Sequence, residues 1–134
     1  MGEEVSERVI EQRLRNRIIE AIEVLARGNQ GLIDANYNEF FEGFYDQWHG
    51  GHLAVKPNSA ITEEEERAVD ALGLMLESIT KETSHFRSEA EYVQSECAER
   101  IKPVAQKALK LFLSRGRFRE DLEEPSPTIH KFKL

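Results

Sequence analysis

The sequence predicts an all-α protein: a single-domain bundle or orthogonal array of four to five helices with a flexible C-terminal tail. Three observations carry this. Apolar residues recur at three- and four-residue intervals through most of the chain. Two capping-box patterns, Thr62 to Glu65 and Ser88 to Glu91, mark helix starts. The intervening stretches are short to medium and hold Gly, Asn and Pro. With 134 residues and 40% apolar content, one core can hold the chain without metal or disulfide. The helical domain is expected over residues 1–119 and the tail over 120–134.

The first helix is expected over residues 5–27. Ile10, Leu14, Ile18, Ile22 and Leu25 share one face, widened by Ile19, Ala21 and Ala26, and Gly28-Asn29 supply a stop. Arg13 and Arg17 fall on its polar side. The stretch GNQGLID reads as a connector. A second helix is expected over 34–49, capped by Asp34, with Tyr37, Phe41, Phe44 and Trp48 repeating along one stripe and Phe40 at its edge. Gly43 weakens it, by about 1 kcal/mol relative to alanine. HGGHLAVKPNSA is a loop.

Thr62 opens the third helix. Its acids at 63–66 sit at the positive end of the helix dipole, where they stabilise it. Leu72, Met75, Leu76 and Ile79 give its apolar face. A fourth helix is expected over 89–101, with Val93, Cys97 and Ile101 on one face. Pro103 then either starts a fifth helix or kinks a continuous one. Val104, Ala105, Ala108, Leu109 and Phe112 continue the face, and Gly116 ends it. The tail holds two prolines and mixed charge, and TIHKFKL alternates as a short strand does.

Charge is distributed in two blocks. Residues 34–83 hold eleven acids against Lys56, Arg67 and Lys81, a net −8, while residues 100–119 hold seven Lys and Arg and no acid. The whole chain carries −7. A net negative charge repels polyanions at long range, which speaks against nucleic acid as a partner. The basic block meets the acidic middle of the same chain, or of a second copy in a homodimer. No apolar run is long enough for a membrane span, and the charged N-terminus lacks a secretory h-region. MGEEVS fits the myristoylation pattern, a pattern a cloning scar at Gly2 also produces. The single cysteine fits a reducing compartment, and the expectation is a cytoplasmic protein.

No motif specifies a reaction. Cys97 lies on an apolar face with no base fixed beside it, and no phosphate loop or nucleophile elbow is present. The expectation is therefore no enzyme and no cofactor. Asp46-x-x-His49 and Glu82-x-x-His85 have the spacing of di-iron helices, but both sit at helix ends, and Asp46 points away from the aromatic stripe. His49, His52 and His85 are weak metal candidates, and no metal is assigned. Asp34, Glu39, Glu42, Tyr45 and Asp46 form the strongest candidate surface. Tyr45 is the aromatic farthest from the core stripe, and an aromatic rim among carboxylates has the chemistry of a hot spot for a basic partner. The expected function is a non-catalytic acidic interaction protein that binds, and neutralises, a basic protein, as immunity and inhibitor proteins do. The alternatives are a small metal-binding bundle and a nucleic-acid binder through residues 100–119.

Overall fold

The computed structural model describes residues 5–48 and 58–128, which build six α-helices: α1 (Glu7–Leu25), α2 (Asn29–Ala35), α3 (Tyr37–Trp48), α4 (Glu63–Glu82), α5 (Glu89–Ser95) and α6 (Cys97–Arg115). The all-α expectation holds, and four to five helices become six. α1 packs against α3 and α6, and α4 packs against α6 and α3. Into the space between them point Ile18, Ile19, Ile22 and Leu25 of α1, Phe40, Phe41 and Phe44 of α3, Val69, Leu72, Leu76 and Ile79 of α4, and Ile101, Ala105 and Phe112 of α6. None of the six helices is long and apolar enough to cross a membrane.

α1 starts where Ser6 accepts a hydrogen bond from the Val9 amide at 3.2 Å. Its buried stripe differs from the expected one. In the first half of α1 it runs through Val9, Gln12, Arg15 and Asn16, and Ile10 is exposed. Counting apolar residues missed this because three of those four side chains are polar.

The expected connector contains α2. The Glu99 carboxylate accepts from the Asn29 amide at 2.9 Å and so satisfies a first-turn donor. Gly31 sits so close to α1 that a Cβ there would lie 2.1 Å from the Val24 carbonyl oxygen. The second expected helix therefore begins later, at Tyr37. Asn36, not Asp34, terminates it: the Asn36 Oδ1 accepts from the Asn38 and Glu39 amides at 2.9 and 3.2 Å.

Phe40, expected at the stripe's edge, lies at its centre, and Tyr37 and Trp48 occupy the half-buried ends. Trp48 seats its ring directly on Gly73, where a Cβ would come within 2.6 Å, and its Nε1 donates to Asp70 at 2.8 Å. Both capping boxes form as expected, at Thr62–Glu65 and Ser88–Glu91. The helix expected over 89–101 breaks at Glu96, which is left-handed at φ 63°. The Ser95 hydroxyl accepts from the Cys97 amide at 3.2 Å across this break. α6 then runs through Pro103 to Gly116.

Residues 117–128, most of the expected flexible tail among them, lie back along α1. The Phe118 ring is fully buried. Gln12 donates to the carbonyls of Arg119 and Leu122 at 3.0 and 2.8 Å and accepts from the Glu124 amide at 2.8 Å. Asn16 donates to the Phe118 carbonyl at 2.9 Å, and Arg8 to the Glu124 carbonyl at 2.6 Å. These bonds satisfy the polar stripe of α1, which would otherwise be costly to bury. The strand-like stretch after Thr128 lies outside the described residues.

Candidate functional site

The outward face of α3 carries Glu39, Glu42 and Asp46, all exposed. Their spacing of three and four residues puts them on one stripe. The opposite side of the helix is anchored by Phe40, Phe41 and Phe44, so the stripe stands on a packed base. Gly43, between them, has open space around the position a Cβ would take. Among the described residues none of the three carboxylates has a cation within ion-pair distance.

The other two predicted residues lie elsewhere. Asp34 is on α2 and is held by Arg27 and Gln30; the Arg27 hydrogen bond above all keeps its carboxyl below the usual aspartate range. Tyr45 is half-buried between α3 and α4, with its hydroxyl 3.3 Å from Thr80 Oγ1. Burial pushes its phenol above the ordinary value. The stripe is thus carboxylate without an aromatic rim. Tyr45 fastens α3 to α4 instead.

The basic block is largely matched within the molecule. Arg100 pairs with Glu82 at 2.9 Å, Arg117 with Glu23 at 2.6 Å, Arg119 with Asp121 at 2.8 Å, and Lys102 lies 3.9 Å from Glu99. Arg115 turns inward to Glu65, where its Nε and Nη2 donate at 3.0 and 2.8 Å. Only Lys107 and Lys110 of that block have no carboxylate partner among the described residues.

Glu65 is the centre of a buried network absent from the sequence reading. Arg15, with no exposed surface, donates to Glu65 Oε2 at 2.8 Å and to the Gly116 and Phe112 carbonyls at 2.7 and 3.1 Å. Its guanidinium also stacks over Phe112 and Phe118, 5.0 and 5.3 Å from their centroids. Burial lowers Arg15 from its ordinary value. Burial also acts to raise the Glu65 carboxyl, but hydrogen bonds from Arg115, Arg15 and the Thr62 amide outweigh it, and Glu65 is held below the usual glutamate range. One sequence signal was present: Glu65 stands in helical phase with Val69, Leu72 and Leu76. This network joins α1, α4 and α6 and is a structural clamp, since no buried polar atom of Arg15 or Glu65 is left without a partner.

His85 is exposed, with its ring edge-to-face on Phe86 at 4.7 Å, and its expected partner Glu82 is engaged by Arg100. His49 and His52 lie outside the described residues. Among the described residues no three His, Cys, Asp or Glu side chains come close enough to hold a metal ion. Cys97 is buried, and its Sγ donates to the Tyr92 carbonyl at 3.9 Å. No known protein family matches the chain, and no curated protein or solved structure shows detectable similarity to it.

Proposed function

We propose that this is a non-catalytic interaction protein whose α3 face binds, and in binding neutralises, a basic protein partner, as immunity and inhibitor proteins do. The observation that carries this reading is the exposed stripe that Glu39, Glu42 and Asp46 form along α3. Arg15, Arg17, Arg100, Arg115 and Arg117 are matched to carboxylates of the same chain, whereas these three carboxylates stand exposed and without a cation among the described residues. Carboxylates on a rigid helix steer a basic partner and set its register. The matched basic block removes most of the support for nucleic-acid binding, which needs a continuous cationic footprint.

The test compares the full chain with the triple variant Glu39→Gln, Glu42→Gln, Asp46→Asn as baits for native mass spectrometry of captured proteins. The native chain should retain a basic protein that raised salt releases, and the variant should lose it while keeping its helical circular dichroism. Equal retention by both baits, or no captured protein, would refute the reading.

A further inference from the structure

A second surface lies on the other side of the molecule's charge map. α4 and α6 leave between them an open groove of about 790 Å³. Its floor is Ala68 and Ala71 of α4 with Val104 and Leu111 of α6, its α6 rim carries Lys107 and Lys110, and its α4 rim carries Glu64. Leu74, one turn beyond Ala71, is 61% exposed. Alanines on the floor let another helix axis approach closely, and Val104 and Leu111 form a ridge for it to straddle. The rim lysines are the only cations of the basic block without an internal carboxylate among the described residues.

From this we infer that the α4–α6 groove is a docking site for an amphipathic helix of another protein, one whose apolar stripe is flanked by carboxylates. The apolar floor takes the stripe, and Lys107 and Lys110 pair with the acids on the side that lies along α6, away from Glu64. Charge complementarity selects this occupant over the others at hand. Residues 49–57 and 129–134 carry Lys56, Lys131 and Lys133 and no acid, the same sign as the rim. Residues 1–4 offer Met1 alone as a large apolar side chain and so no stripe. The α3 face of a second copy offers Asn38, Glu39, Glu42 and Asp46 and no apolar stripe. A second copy placed groove to groove sets its lysines against these.

The site is independent of α3, so its test is too. The probe is a synthetic helix of about 15 residues, with leucines at helical spacing and glutamates beside them, titrated into the isotopically labelled full chain. Amide shifts should move at Ala68, Ala71, Val104 and Leu111. Lys107→Glu with Lys110→Glu should weaken binding by about tenfold or more, and Ala71→Glu should abolish it. Both variants change exposed side chains, and their unperturbed spectra confirm folding. The same peptide with lysines for glutamates should bind far more weakly. The α3 triple variant should bind the peptide unchanged. The inference is overturned by any of three results: no groove shifts at about 1 mM peptide, equal binding of the lysine peptide, or sedimentation showing a dimer that already covers these residues.

Discussion

At Glu65 one carboxylate answers two guanidinium groups and the first-turn amide of its own helix. A buried pair of this kind adds little net stability over an apolar replacement, but removing one member strands the other. Glu65→Gln should therefore cost about 3–5 kcal/mol, because it leaves Arg15 charged and buried. Arg15→Met combined with Glu65→Leu should cost much less than the sum of the two single changes. Urea denaturation followed by Trp48, the single tryptophan, measures both. Additive costs would mean that the two side chains do not act as a pair. In the sequence Glu65 showed its capping role and its phase with the apolar face, but not its partners, which stand fifty positions away on either side. The pairing of Asp34 with Arg27 was hidden for a similar reason. Whether an acid is available depends on which arginine folds back to meet it.

Helix periodicity and caps made α1, α3 and α4 legible at the scale of elements, to within a few residues at their ends, and α6 legible from Pro103 onward. α2 escaped because only Gly31 and Leu32 of its seven residues are buried, which leaves no periodic stripe to see. The break at Glu96 escaped because a left-handed residue interrupts a pattern that would otherwise read through. The segment 117–128 escaped because its anchors on α1 lie about a hundred residues earlier. Phe118 is the pivot of that segment, with Arg8, Arg15 and Arg115 all stacked on its ring at 5.1, 5.3 and 5.8 Å. Phe118→Ala should cost about 3–5 kcal/mol, the range for emptying a buried phenylalanine site. Faster hydrogen exchange at the Glu124 amide, which Gln12 holds, should accompany it. Unchanged exchange there would show that the segment is held without its ring.

Taken whole, the molecule folds its two charge blocks against each other. α4 and α6 run antiparallel, with Glu65 meeting Arg115 at one end and Glu82 meeting Arg100 at the other. The bipolar sequence predicted this match, and unmatched charges on α3 and on the α6 rim lie on the two proposed surfaces. Glu65, Glu82, Glu91, Asp34 and Asp121 are all held below their ordinary values, the exposed ones by hydrogen bonds from neighbouring arginines or backbone amides. A depressed carboxyl stabilises the fold above its unfolded value and loses that contribution as pH falls through its folded one. Stability should therefore be level near neutrality and decline once pH drops below the ordinary glutamate value of 4.5. Urea midpoints across that range would show it, and Glu65→Gln should flatten the decline. The segment along α1 has one more consequence, in the order of synthesis. Gln12, Arg15 and Asn16 leave the ribosome early, and the carbonyls that complete their bonds, on Phe112, Gly116, Phe118, Arg119 and Leu122, follow about a hundred residues later. α1 is thus finished well after it is made, and a nascent chain halted before residue 118 holds a polar stripe whose partners have yet to arrive.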